Sequence, residues 1–147
     1  MNAISPPLRQ RRVFVDSSAY LAILDVDDAH YAEAAEILPW LAANGFRQFT
    51  TNVILIETFS LVLSALGAAP ARKFLRDMSE SNTIVVRVSA RDEERARAIL
   101  FKYTDKDFSF VDAISFAVME RLNISSAFAF DRHFAQYGFS IVTARKL

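Results

Sequence analysis

With 147 residues, of which 52% are hydrophobic, the chain has the length and apolar content of one ordinary domain with a well-packed core. It contains no cysteine, which excludes disulfides, Cys-ligated zinc and thiol nucleophiles and fits a reducing cytoplasm. The 17 Lys and Arg residues balance the 17 Asp and Glu residues, so no net charge attracts nucleic acid to the protein as a whole.

The first residues of the chain are basic rather than apolar. Residues 1–12 include Arg9, Arg11 and Arg12 but lack the apolar core of a secretory signal. No stretch of the sequence approaches the roughly 20 apolar residues that a membrane helix needs. The sequence therefore predicts a basic N-terminal tail over residues 1–12, one domain over residues 13–147, a cytoplasmic location and no membrane partner.

The first predicted element is a short apolar strand at residues 13–15, which ends on Asp16. An apolar run without polar alternation is typical of a strand that is buried on both faces of a parallel sheet. Ser17 or Ser18 is expected to cap the helix that follows.

Strands and helices alternate along the rest of the chain. Further strands are predicted at residues 46–51, 83–88, 127–130 and 140–142. Helices are predicted up to residue 24 and at residues 29–43, 53–66, 70–78, 91–103 and 110–122, with caps at Asn52 and Ser89. This alternation predicts an α/β fold in a single domain, with a central, mostly parallel sheet and right-handed crossovers.

Four acidic residues occupy positions where an acid is unusual. Asp16 and Asp131 each end an apolar strand, and Glu57 and Asp112 lie in the first two turns of largely apolar helices. Because the carboxyl ends of parallel strands meet at one edge of the sheet, we expect all four carboxylates at that edge. Each acid also has a local interpretation, as a helix cap, a turn residue or a partner of the helix dipole.

The chemistry of such a cluster favours a metal site. Buried carboxylates without cationic partners raise one another's pKa, and a hard divalent cation such as Mg²⁺ relieves that repulsion through oxygen ligands. A metal held in this way can polarise a phosphodiester and activate a water molecule. The four acids therefore indicate a metal-dependent hydrolase.

The acid-bearing segments, taken in order, resemble the motifs of the PIN-domain nucleases. The likeness is strongest to the single-domain, VapC-type toxins of bacterial toxin-antitoxin pairs, and it extends from Val13 to about Val142. The segments that carry it are residues 13–19, 28–35, 50–57, 108–117 and 127–134.

This resemblance implies a three-layer α/β/α domain and a metal-dependent endoribonuclease that uses Mg²⁺ or Mn²⁺. By the same resemblance, Asp16 and Asp112 are the principal metal ligands, and Glu57 and Asp131 complete the acidic pocket directly or through water. All four acids are then catalytic residues. The family also implies a homodimer and a small antitoxin protein that covers the active-site groove.

Weaker candidates surround the four acids. Ser17 is a candidate for positioning a ligand or a water molecule, and Lys106 and Arg132 are candidates for contacts with RNA phosphates. His30 and His133 are interpreted first as surface or packing residues, although His133, two residues from Asp131, is the better candidate for a ligand or a general base.

One position departs from the family pattern. The hydroxyl residue that often precedes the fourth acid by two positions is replaced here by Ala129. That change removes an expected hydroxyl contact with Asp131 but leaves the acid itself in place.

Two other functions remain open at the level of sequence. A PIN-like fold can serve as a non-catalytic binding or regulatory module for RNA or a partner protein. The same pocket chemistry also suits a metal-dependent phosphatase that acts on small molecules.

Overall fold

The computed structural model describes residues 11–144. The strands are β1 (Arg12–Val15), β2 (Arg47–Thr51), β3 (Ile84–Val86), β4 (Ser126–Phe128) and β5 (Ser140–Ile141). The helices are α1 (Ser17–Leu24), α2 (Tyr31–Ala43), α3 (Asn52–Leu66), α4 (Ala68–Glu80), α5 (Ala90–Lys102), α6 (Phe110–Leu122) and α7 (His133–Tyr137). No helix within this part of the chain combines the length and apolar character that a membrane span requires.

The five strands form one parallel sheet in the order β3-β2-β1-β4-β5. Helices α1 to α4 contact one another, and helices α5 to α7 contact one another. Right-handed crossovers place these two groups on opposite faces of the sheet. The expected three-layer α/β/α fold with a parallel sheet is therefore confirmed.

The central strand β1 is buried because both of its faces are covered. Val13 and Phe14 are fully buried and Val15 is 1% exposed, as the apolar run predicted. β1 pairs with β2 on one side and with β4 on the other. The chain direction across the sheet reverses between β1 and β4, and ligands of parallel α/β sheets bind at such a reversal, beyond the carboxyl ends of the strands.

Arg12 lies at the start of β1 and contacts the end of α6. Its guanidinium donates to the carbonyls of Leu122 (2.9 Å) and Asn123 (3.0 Å). Residues 1–10 fall outside the described part of the chain. The division into a basic tail over residues 1–12 and a domain over residues 13–147 therefore stays a prediction.

Two helix caps differ from the sequence prediction. Asp16, and neither Ser17 nor Ser18, caps α1, and Thr51 rather than Asn52 caps α3. The reason for the second shift is that the Asn52 side chain is used elsewhere, accepting from the backbone N–H of Val88 at 2.9 Å.

The chain after β4 also differs from the prediction. β4 ends at Phe128, so Asp131 lies three residues beyond the strand instead of at its end. The intervening residues turn the chain into α7, a five-residue helix that the sequence pattern did not predict. A five-residue helix is too short for its sequence to show helical periodicity.

Candidate active site

Asp16 is both the cap of a helix and part of a buried polar site. It is 3% exposed, and its Oδ2 accepts from the Ser18 backbone N–H (3.1 Å) and the Ser18 hydroxyl (2.7 Å). Burial raises the pKa of Asp16 to about 6, and the nearby carboxylates of Asp112 and Glu57 add to this rise. The two interpretations of Asp16 that the sequence left open are therefore compatible.

Ser18 ties the start of α1 to the segment after β4. Its hydroxyl donates to Asp16 and accepts from the backbone N–H of Phe130 at 3.0 Å. This bridge holds the Asp16 carboxylate beside the segment that carries Asp131. From the sequence, Ser17 is the candidate for a positioning role and Ser18 only a candidate cap, because nothing in the sequence shows that Phe130 lies opposite Ser18.

Glu57 lies in the second turn of α3, facing the beginning of α1. The Ser17 hydroxyl donates to Glu57 Oε1 in a short hydrogen bond, and Ser17 itself is 4% exposed. Because α1 and α3 pack against each other, this bond fixes the Glu57 carboxylate near the end of β1. Ser17 thus contacts one of the four acids, as a positioning residue would.

Asp112 belongs to a capping box at the start of α6. Its Oδ2 accepts from the Ser109 backbone N–H at 3.0 Å, and its own N–H donates to the Ser109 hydroxyl at 3.0 Å. Asp112 is 5% exposed. Its local interpretation as a first-turn acid is therefore correct, and it does not prevent the carboxylate from facing the site.

His133 connects Asp112 to Asp131. Its Nδ1 lies 2.7 Å from Asp112 Oδ2 and 3.1 Å from Asp131 Oδ1. The His133 backbone N–H also donates to Asp131 Oδ1 at 2.7 Å, which forms the turn that starts α7. The ligand atoms of these three residues all lie within 4.8 Å of one another, a grouping that could hold a metal ion.

All four predicted acids therefore gather at one place in the structure. Asp16 interacts electrostatically with Asp112 and Glu57, and Asp112 is joined to Asp131 through His133. Among residues 11–144, no Lys or Arg forms an ion pair with any of them. A set of carboxylate oxygens with one imidazole fits the donors that Mg²⁺ or Mn²⁺ accepts.

The two predicted phosphate contacts are less tightly connected to this cluster. Lys106 pairs with Asp105 of its own loop at 3.5 Å. Arg132 lies next to Asp131 at the start of α7, and its side chain is exposed and forms no ion pair within the described region. Within residues 11–144, neither side chain forms an ion pair with any of the four acids.

His133 was a weaker candidate from the sequence, and the structure places it in contact with two of the four acids. The signal in the sequence was the two-residue spacing of Asp131 and His133. An Asp side chain often accepts a hydrogen bond from the backbone N–H two residues later, which forms a turn at the start of a helix. This turn brings the His133 ring and the Asp131 carboxylate to the same side. The unpredicted helix α7 concealed that geometry.

A concavity also lies away from the acids. It has a volume of about 800 Å³ and is found at the opposite edge of the sheet, where β2 and β3 begin. Its walls include the apolar side chains of Tyr20, Phe74 and Met78. Its acid, Asp77, pairs with Lys73 at 2.6 Å, so this cavity lacks the clustered carboxylates of the candidate site.

Known proteins share both the sequence pattern and the fold. The PIN domain profile matches residues 13–140. This chain belongs to the PIN-domain family. The resemblance that the acid-bearing motifs indicated is thus confirmed.

Three relatives are informative. The 23S rRNA-specific endonuclease VapC20 of Mycobacterium tuberculosis is 34% identical over 86% of this chain and 95% of its own length. A VapC ribonuclease of Archaeoglobus fulgidus is 30% identical over 75% of this chain and 71% of its own. The crystal structure of VapC20, described as a Sarcin-Ricin loop cleaving toxin, has a TM-score of 0.82 at 34% identity, covering 89% of this chain and 98% of that one.

A more distant structure shares the fold alone. FitAcB from Neisseria gonorrhoeae has a TM-score of 0.61 at 12% identity and covers 92% of this chain and 99% of that one. The PIN fold is therefore recognisable in this structure even where little sequence identity remains.

Proposed function

We propose that this PIN-domain protein is a metal-dependent endoribonuclease that hydrolyses RNA phosphodiester bonds as the toxin of a toxin-antitoxin pair. The observation that carries the proposal is the meeting of four acids, Asp16, Glu57, Asp112 and Asp131, at the reversal point of the parallel sheet. Carboxylates crowded in this way without Lys or Arg partners favour a bound divalent cation.

In this proposal the acids hold Mg²⁺ or Mn²⁺, with Asp16 and Asp112 as principal ligands and Glu57 and Asp131 contributing directly or through water. When bound, such an ion supplies a Lewis acid and an activated water at neutral pH. The chain contributes rigid positioning: Ser18 fixes the Asp16 carboxylate, and Ser17 fixes that of Glu57. Exposed Arg132 and half-buried Lys106 are proposed to contact the RNA backbone from the rim.

RNA is the proposed substrate because of the relatives. The names of VapC20 and of the Archaeoglobus protein describe RNA cleavage, and this chain covers most of the length of both. A site at the carboxyl edge of a sheet also suits a single-stranded or looped RNA, whose backbone is free to approach the acids.

The partners expected from the family resemblance belong to the same proposal. A homodimer and a small antitoxin are supported by α3, on which Ile56 (66% exposed) and Leu63 (45% exposed) lie two helical turns apart on one side. Light scattering of the purified protein tests the dimer. The cytoplasmic location that the cysteine-free sequence predicts stays a prediction.

Chelation provides the direct test. We expect the purified protein to cleave RNA with added Mg²⁺ or Mn²⁺ and to lose that activity in excess EDTA, with recovery when the metal is restored. Cleavage that continues unchanged in excess EDTA would show that the site does not work through a metal. Cleavage of a small phosphate ester in preference to RNA would instead favour a phosphatase, and metal uptake without any turnover would favour a binding module.

A further inference from the structure

We propose that His133 binds the metal directly through Nδ1, and that this nitrogen makes the site prefer Mn²⁺ to Mg²⁺. The inference rests on the proposed function, because it assigns one more ligand to the same metal. It goes beyond the acidic set, since the four carboxylates alone would form a site made only of oxygen atoms.

The spacing of the three donor atoms carries the inference. Nδ1 of His133 lies 2.7 Å from Asp112 Oδ2 and 3.1 Å from Asp131 Oδ1. Ligands bound at right angles around a small divalent ion at about 2.1 Å are separated by about 3 Å. The nitrogen therefore stands from each of the two oxygens at about the separation of neighbouring ligands of one ion, and all three atoms lie within 4.8 Å of one another.

The imidazole ring is held in this position by its surroundings. Phe108, which is buried, meets the ring at a steep angle with the two centroids 5.5 Å apart. The backbone N–H of His133 is bonded to Asp131 Oδ1, and the His133 side chain is only 17% exposed. Because the backbone and the ring are both restrained, little conformational freedom is lost when Nδ1 takes up a metal.

A nitrogen donor changes which ions the site prefers. Mg²⁺ favours oxygen ligands, whereas imidazole is a better ligand for first-row transition metals. Mn²⁺ accepts both carboxylate oxygens and imidazole nitrogen. Neutral His133 with its hydrogen on Nε2 can direct the Nδ1 lone pair at the ion, so the mixed site favours Mn²⁺.

The test measures metal binding rather than RNA cleavage. The probes are MnCl₂ and MgCl₂, titrated by calorimetry into untagged full-length wild type, His133→Asn and His30→Asn. Asparagine at position 133 places its side-chain amide near the position of Nδ1, so that an oxygen atom replaces the imidazole nitrogen as the possible metal ligand. His30 is a matched control, because it is the other of the two histidines in the chain and it stacks on Phe130 with the two ring centroids 4.5 Å apart.

We expect His133→Asn to lower the ratio of Mn²⁺ affinity to Mg²⁺ affinity by at least about tenfold, and His30→Asn to leave the ratio unchanged. Pulsed EPR of the bound Mn²⁺ should show coupling to an imidazole nitrogen in the wild type and in His30→Asn, and none in His133→Asn. Circular dichroism confirms that each variant is folded, and a misfolded His133→Asn leaves the wild-type EPR spectrum as the deciding measurement.

Two failures can be told apart. Bound Mn²⁺ that shows no imidazole nitrogen in the wild type, together with RNA cleavage that still requires metal, would overturn the ligand assignment and leave the proposed function intact. Nitrogen coupling that persists in His133→Asn would also overturn the assignment. A wild type that takes up no Mn²⁺ would overturn both.

Discussion

Two helices of this protein begin with the same local motif and put it to different uses. In α5, Ser89 and Asp92 form a capping box, and in α6, Ser109 and Asp112 form another. In both boxes the serine hydroxyl accepts from the aspartate N–H and the aspartate accepts from the serine N–H, at 2.9 to 3.1 Å. Both aspartates are buried, at 3% and 5% exposure.

The partners of the two aspartates differ. Asp92 accepts from Arg121 through both carboxylate oxygens, at 2.8 and 2.9 Å, and this guanidinium lowers the pKa of Asp92 below its usual value. Asp112 instead faces His133 and lies near the carboxylate of Asp16. A capping box therefore carries no functional information by itself, because the group across from its carboxylate decides whether it is structural or belongs to a site.

The largest effect should separate these two aspartates by activity. Asp112→Asn is expected to reduce RNA cleavage by about 10²–10³-fold or more, because an amide removes one negative charge from the proposed metal site. Asp92→Asn, the matched control, is expected to keep cleavage and to lose about 2 kcal/mol of stability with the Arg121 pair. Cleavage assays at fixed Mn²⁺ and urea denaturation measure the two quantities.

Equal losses of activity in the two variants would show that the difference between the boxes has no functional meaning. An Asp112→Asn protein that cleaves RNA like the wild type would remove Asp112 from the proposed ligands. Because asparagine also accepts from the Ser109 N–H, the capping geometry survives in this variant and the activity loss is not a folding effect.

The second prediction concerns pH and stability in EDTA. The pKa of Asp16 is raised from 3.8 to about 6 in the folded protein, so the folded state holds its proton more tightly than the unfolded state. The proton on Asp16 therefore stabilises the folded state fully below pH 4, and this stabilisation is lost as the pH rises through 6. Asparagine at position 16 does not ionise, so Asp16→Asn does not lose stability in this way, and asparagine still caps a helix. We therefore expect the free energy of unfolding of Asp16→Asn to exceed that of the wild type by up to roughly 3 kcal/mol at pH 7 and by little at pH 4.

The stability contribution of Asp92 depends on pH in the opposite direction to that of Asp16. Its pKa is lowered in the folded protein, so its contribution is present at neutral pH and is lost as the pH falls through the folded-state pKa. At pH 7, Asp92→Asn should be less stable than the wild type and Asp16→Asn more stable. Both differences should become smaller as the pH falls. Urea denaturation at pH 4 and pH 7 follows both, and an Asp16→Asn variant that is less stable than the wild type at pH 7 would contradict the burial argument.

The smallest effect tests the capping serines. Ser89→Ala and Ser109→Ala should each cost about 1 kcal/mol, because each removes one bond to a helix N–H. Only Ser109→Ala is expected to weaken Mn²⁺ binding, since only the Ser109 box holds a proposed ligand. Calorimetric titration of both variants measures this, and a similar loss of Mn²⁺ affinity in Ser89→Ala would contradict it.

Much of the fold could be predicted because its signals are local. The buried strand at residues 13–15 follows from an apolar run, and α6 (Phe110–Leu122) was predicted with both ends correct as the apolar stretch that follows a polar loop. The family followed from the order of the acid-bearing motifs. The cap of α1 was left open between Asp16, Ser17 and Ser18, because all three residue types are good caps and only the backbone of the folded chain shows that Asp16 takes the position.

The site was predicted in part. The gathering of Asp16, Glu57, Asp112 and Asp131 followed from the rule that parallel strands end at one sheet edge, even though β4 stops at Phe128 and Asp131 reaches the site from a turn. The catalytic and ligand roles of these acids stay predictions. His133 was named only as a weaker candidate, because nothing in the sequence shows that its ring meets Asp112, which lies 21 residues earlier in the chain.

The sequence by itself determined where the acids stand along the chain, where the main helices and strands lie and that the first strand is buried. Only the tertiary structure decided the strand order and which carboxylate meets which partner. Arg121 reaches Asp92 across 29 residues, and His133 reaches Asp112 across 21. Such contacts depend on where the crossovers place whole helices, whereas caps and apolar runs depend on neighbours within a turn or two. For that reason the same capping box is a structural ion pair in one helix and part of the candidate active site in the next.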